Sequence, residues 1–161
     1  MKQLTTLGLM IALGFTGQLF AEDGHSDHGH KNHSQNHREK MRIAVQNICP
    51  VSGEKLGAHG EPIKVTVGEK KEEIFLCCKA CLEGKIDAKN WGTIHANIAK
   101  AQGKCPVMKK DLPNNPKWTV VEGQIVFVCC PPCTGKIERD PKTYLGQVDE
   151  YYHQALTAQK N

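Results

Sequence analysis

Ile74-Phe75-Leu76-Cys77-Cys78-Lys79-Ala80-Cys81 and its echo Ile125-Val126-Phe127-Val128-Cys129-Cys130-Pro131-Pro132-Cys133 decide how this chain is read. Each is an apolar run that ends in Cys-Cys-x-x-Cys. Each is preceded at a distance by Cys-Pro-Val, as Cys49-Pro50-Val51 and Cys105-Pro106-Val107. The eight cysteines of the chain fall into these two sets of four, with none left over. Such self-similarity marks an internal duplication.

Outward from the cysteines, each copy has the pattern of a hairpin. Pro62–Val67 alternates apolar and polar residues, as a half-buried strand does, and Glu73–Leu76 returns after a turn over Gly68–Glu72. In the second copy Trp118–Val121 and Gln124–Val128 flank the turn Glu122-Gly123. A short helix is predicted over Leu82–Lys89, broken at Asn90-Trp91-Gly92. Thr93 then caps a second helix with Ile94, Ile98 and Ala101 on one face. Asp140-Pro141 starts the last helix, whose apolar face is Tyr144, Leu145, Val148, Tyr152, Ala155 and Leu156. Met41–Ile48 reads as a short helix or strand. The fold class expected is α+β, in two tandem units of hairpin, cysteine knuckle and helix. The first unit spans 41–102 and the second 103–161.

Units of this size bury little apolar surface, and small folds lean on disulfides, metal ions or a partner. The cysteines are therefore candidates for a structural as well as a functional role. Cys78-x2-Cys81 and Cys130-x2-Cys133 match a metal knuckle. Cys77-x3-Cys81 and Cys129-x3-Cys133 put two sulfurs one helical turn apart. Adjacent cysteines in extended backbone point to opposite faces, so which of Cys77 and Cys78 joins Cys49 stays open at this level. Converging thiolates suit soft ions such as Zn(II) or Cu(I) over Mg or Ca. Met108 offers a soft thioether, although a packing or surface methionine is the preferred reading. His59 is a candidate ligand or, with equal weight, an exposed loop histidine. His95 and His153 read as surface residues on helices.

The N-terminus carries an address. Lys2 precedes an apolar stretch to Phe20, and Ala21 stands before Glu22-Asp23. Residues 1–21 read as a secretory signal peptide, ahead of the alternative of a membrane anchor. A periplasmic or secreted location without a stable membrane span is expected. An oxidising compartment also permits disulfides, which compete with metal for the same cysteines. Residues 22–40 hold five of the eight histidines (His25, His28, His30, His33 and His37) among polar residues without apolar periodicity. This segment is read as a disordered tether and a set of weak auxiliary metal ligands. The formal charge of +4 falls to +3 without Lys2, and the lysines are scattered among glutamates. No nucleic-acid partner is expected from that pattern.

The run Cys49-Pro50-Val51-Ser52-Gly53-x-x-Leu56-Gly57, followed by a hairpin and Phe75-x-Cys77-Cys78-x-x-Cys81, resembles the heavy-metal-binding domains called TRASH and their YHS relatives. The resemblance covers residues 48–91 and 104–145. It implies treble-clef or zinc-ribbon-like units in which Cys49 joins Cys77 and Cys81, and Cys105 joins Cys129 and Cys133. Asp140-Pro141-Lys142-Thr143-Tyr144 looks like the closing segment of that family. The resemblance further implies a role in trafficking, resistance to or sensing of heavy metals. Cys78 and Cys130 lie outside its pattern, and the gap from the first cysteine to the pair is longer here.

The functional expectation is an exported, non-enzymatic protein that binds copper or zinc for trafficking or resistance, with an efflux or metal-transfer protein as its partner. The alternatives are an adaptor module held by disulfides or structural zinc, and a thiol-disulfide oxidoreductase built on Cys78-x2-Cys81. The last ranks lowest, because no βαβ pattern sets up a reactive thiol at a helix start.

Overall fold

The computed structural model describes residues 28–159. The predicted signal peptide and His25 lie outside them. Four helices and two hairpins follow in the order α1 (His28–Gln46), β1 (Ile63–Val67), β2 (Glu72–Leu76), α2 (Ala88–Gln102), β3 (Lys117–Val121), β4 (Gln124–Val128), α3 (Pro132–Arg139) and α4 (Pro141–Ala158). The expected α+β class is observed. Both sheets are two-stranded and antiparallel, with Val65 opposite Ile74 and Thr119 opposite Val126. No helix among the described residues is long and apolar enough to cross a membrane.

Three sequence expectations give way to the structure. The tract 22–40, expected to be disordered, is helical from His28 onward. Its polar turns continue a helix whose C-terminal half is anchored: Arg38 Nε pairs with Asp149 at 2.7 Å, Arg42 bonds Glu73, and Val45 and Gln46 are buried. Once such a helix is nucleated, further turns add at low cost. The expected break at Asn90-Trp91-Gly92 is absent. Asp87, not Thr93, caps α2, its carboxylate accepting from the Asn90 N–H at 2.9 Å. Gly92 sits inside the helix facing open space, and the Thr93 hydroxyl donates to the Lys89 carbonyl. The helix predicted over Leu82–Lys89 is instead a 3₁₀ turn over Lys79–Glu83, ended by Gly84. A side chain at Gly84 would collide with Val51, so the chain needs glycine where it passes the Cys-Pro-Val turn.

Helices α1, α2 and α4 pack on one another. The main core combines Val45 of α1 with Ile94 and Ile98 of α2, Val121, Ile125, Val126, Phe127 and Val128 of the second hairpin, and Leu145, Val148 and Tyr152 of α4. A smaller cluster of Cys49, Leu56, Phe75, Leu76, Cys77 and Cys81 lies under the first hairpin. The two copies are also tied directly: the Glu73 N–H donates to the Gly123 carbonyl at 2.8 Å, and Arg42 donates to both the side chain and the carbonyl of Glu73 at 3.0 Å. The predicted face of α4 is the packed one, with Tyr151 added to it.

His95 corrects another expectation. It is half-buried, with its ring 4.9 Å from those of Trp91 and Trp118 and 5.9 Å from Phe127. Its Nε2 is buried without a hydrogen-bond partner. Burial among these rings pushes its pKa down, against the opposing pull of Glu72. His153 is exposed as expected.

Candidate metal centres

Each centre is assembled by the same local wiring. A helix ends at a buried glutamine, Gln46 on α1 and Gln102 on α2. The next residue but one forms a bridge, Ile48 with Lys55 and Lys104 with Asp111. Between the bridge partners the chain turns tightly at Cys-Pro-Val. The Cys49 N–H donates to the Glu54 carbonyl at 2.7 Å, and the Cys105 N–H to the Lys110 carbonyl at 2.8 Å. This turn presents the first thiol. The second hairpin strand then delivers the others.

The glutamine locks turn and strand together. Gln46 Nε2 donates to the carbonyls of Ile48 at 2.9 Å and Phe75 at 2.7 Å, while its Oε1 accepts from the Phe75 N–H at 2.9 Å. Gln102 repeats this with Lys104 at 2.8 Å, Phe127 at 2.7 Å and the Phe127 N–H at 2.9 Å. Each amide thus satisfies strand groups that have no sheet partner on that side. These positioning residues were missed in the sequence. The signal is nonetheless there, because both copies read Gln-x-x-Cys-Pro-Val.

The thiols converge as the duplication suggests. The Sγ atoms of Cys49, Cys77 and Cys81 lie within 4.8 Å of one another, and so do those of Cys105, Cys129 and Cys133. Cys49 and Cys105 are wholly buried, with 0% exposure. Cys78 and Cys130 are half-exposed and stand beside these sets. Cys78 Sγ is 3.8 Å from Cys77 and 3.9 Å from Cys81. Cys130 Sγ is 3.9 Å from Cys129 and 3.0 Å from Cys133. Extended backbone at Cys78 therefore does not carry its sulfur away from the others, because the 3₁₀ turn that follows folds Cys81 back beneath it. None of the eight sulfurs stands at disulfide-bonding distance from another.

These distances fit an ion. In a tetrahedral site with Zn–S bonds of about 2.3 Å, sulfurs stand about 3.8 Å apart. The Cys77–Cys81 separation is 3.6 Å, close to that edge. Electrostatics treat the thiols of each centre unequally: Cys78 and Cys130 are lowered, by hydrogen bonds from Cys77 and Cys133 respectively, and so are Cys49 and Cys105. Burial pushes the Cys49 thiol up, but the N–H groups of Ser52, Cys77 and Val51 and the Ser52 hydroxyl outweigh it and bring it to about 6. Cys105 is likewise lowered by the N–H groups of Cys129, Met108 and Val107 against its burial. Burial and the neighbouring sulfurs push Cys81 up to about 12, and push Cys133 strongly up as well. A dication would relieve this crowding by replacing the shared protons.

Neither cluster includes a histidine. His59 is exposed and pairs with Glu54 at 2.7 Å, which makes it a loop histidine. Of the N-terminal set, His28, His30, His33 and His37 fall on α1, and His37 is exposed. No protein-family model, curated protein or solved structure matches this chain.

Proposed function

We propose that this chain is an exported, non-enzymatic metal-binding protein that carries one soft ion, copper or zinc, in each of two thiol centres. The observation that carries this reading is the convergence of three thiols in each copy around a common point. Thiolates at such spacing bind Zn(II) or Cu(I) far better than hard cations. Cys78 and Cys130 serve as fourth ligands on the solvent side, and their partial exposure suits exchange of the ion with a second protein. An efflux or metal-transfer protein is the partner that such an exchange requires. The residue pattern shared with TRASH and YHS domains supports this reading, as does the treble-clef-like order of turn, hairpin and cysteine pair. The α1 histidines act as weak outer ligands that gather ions near the protein.

A second reading is favoured by the complete burial of Cys49 and Cys105. Ions held there would serve the fold alone, and the protein would act as an adaptor. Elemental analysis and thiol counting on protein isolated from an oxidising compartment test both. Two ions per chain, removed by a competing chelator within minutes, support the carrier. Two ions that leave only on unfolding support the adaptor. Protein without metal and without free thiols contradicts both.

A further inference from the structure

The two centres are not chemically identical, and the difference sits at one position. The turns 49–56 and 105–112 repeat the same three backbone hydrogen bonds. The Gly53 N–H donates to the Cys49 carbonyl at 2.9 Å and the Lys109 N–H to the Cys105 carbonyl at 2.8 Å. The Leu56 N–H donates to Asn47 at 2.8 Å and the Leu112 N–H to Gly103 at 2.9 Å. In that alignment Ser52 of the first copy corresponds to Met108 of the second. The backbone N–H of each points at the buried thiol of its own centre, Ser52 at Cys49 and Met108 at Cys105.

In the first copy the side chain at this position faces the sulfurs. Ser52 Oγ lies 3.4 Å from Cys77 Sγ. A methionine side chain is longer than serine's by two heavy atoms, and Met108 carries its thioether on the backbone position that in the first copy brings Ser52 to the sulfurs. Met108 is 45% exposed and belongs to neither core cluster, although Val107 beside it packs against the main core. Packing therefore does not account for the residue. A thioether is a soft, neutral ligand that favours Cu(I) and adds little for Zn(II), whereas a serine hydroxyl is hard and makes a hydrogen bond to a thiolate.

We propose that Met108 is a rim ligand of the second centre and makes it the Cu(I)-selective member of the pair, while Ser52 leaves the first centre without that preference. This rests on the reading of both clusters as ion carriers. The thioether of Met108 and the thiol of Cys130 then flank one solvent-facing opening, through which Cu(I) enters and leaves. The first centre, with Ser52 and Cys78 at its rim, discriminates less between Cu(I) and Zn(II).

The test is anaerobic competition of the full chain against colorimetric chelators for Cu(I) and for Zn(II), with Met108→Leu and Ser52→Met. Leucine keeps the volume of methionine without its sulfur, so folding is little disturbed. Met108→Leu is expected to weaken the tighter Cu(I) site roughly tenfold, the low end for groups bordering a metal, and to leave Zn(II) affinity unchanged. Ser52→Met is expected to raise Cu(I) affinity at the first site. Selenomethionine-labelled protein gives a readout independent of affinity: a copper–selenium scattering path in the parent that Met108→Leu lacks. Two bound Cu(I) ions with neither affinity nor scattering altered by Met108→Leu would overturn the selectivity and leave the carrier reading intact. Binding of neither Cu(I) nor Zn(II) by the parent would overturn both.

Discussion

The first and second copies share a wiring diagram but not a setting. Around Cys49 the supporting cluster is small, and the segment after Cys81 is a single 3₁₀ turn. Around Cys105 the thiols belong to the main core, with Ile94, Val148 and Tyr152, and Cys133 sits in the eight-residue helix α3. Pro131-Pro132 starts that helix at positions where proline's fixed φ and missing N–H are tolerated. Lys79-Ala80 has no such help, and Gly84 ends the turn early. Equal sets of thiols are therefore held by unequal amounts of protein. An ion bound at the first centre would therefore contribute more to its fold than one at the second, which packing already supports.

The largest effects should come from the ligands that distinguish the settings. Cys49→Ser and Cys105→Ser are each expected to lower the ion count from two to one, because no residue is shared between the clusters. Loss of an ion present at a hundred times its Kd removes about 2.7 kcal/mol of stability. Cys105→Ser should destabilise further, since it also disturbs the common core. Chemical denaturation with metal analysis reads both, and loss of both ions from either variant would break the comparison.

The glutamine clamps come next, with a comparable cost in stability but no ligand lost. Gln46→Ala or Gln102→Ala strands a buried N–H and two carbonyls, and each unsatisfied group costs about 1–3 kcal/mol. A loss of about 3 kcal/mol is expected from either variant, together with weaker metal binding in its own copy only. If Gln102→Ala left the second centre at full affinity, the positioning role would fail.

A smaller contrast lies in the turns. Gly53 has φ +75° and Lys109, its counterpart, φ +56°. A left-handed backbone costs a residue with a Cβ about 1–2 kcal/mol. Lys109→Gly should therefore raise stability by up to about 1 kcal/mol. Gly53→Ala should lower it, both from the positive φ and because its Cβ would press on the Asn90 side chain at 3.0 Å. Paired thermal melts decide the sign.

The smallest effect is a pH dependence at the seam of α2 and β3. Burial lowers the His95 pKa in the folded state, so the unfolded chain takes up the proton more readily. Stability of the metal-free protein should fall as pH drops below the ordinary histidine value of about 6.5, down to the depressed folded value. His95→Leu should flatten that part of the curve, and an unchanged slope would exclude His95 as its source.

Much of this was legible in the residues. Alternation at Pro62–Val67 and the apolar run to Cys77 place the hairpins within a residue or two, because one face of each is packed. The grouping of thiols followed from the duplicated spacing. Other features depend on tertiary contacts that local patterns do not encode. Helix α1 looks solvated because its anchors are Arg38 and Arg42, which find Asp149 and Glu73 far along the chain. Asn90-Trp91-Gly92 looks like a break until Trp91 is seen packed beside His95. The clamps Gln46 and Gln102 are not legible locally, because an amide reads as a clamp only once the strand it bonds is in place.

Stepwise loading of the metal-free chain with Cd(II), followed by native mass spectrometry and thiolate-to-metal absorption, tests the central claim most directly. Two ions per intact chain, with every cysteine of both copies protected from alkylation, is the predicted result. A single ion bridging the copies, or thiols that stay open to alkylation at saturation, would contradict it.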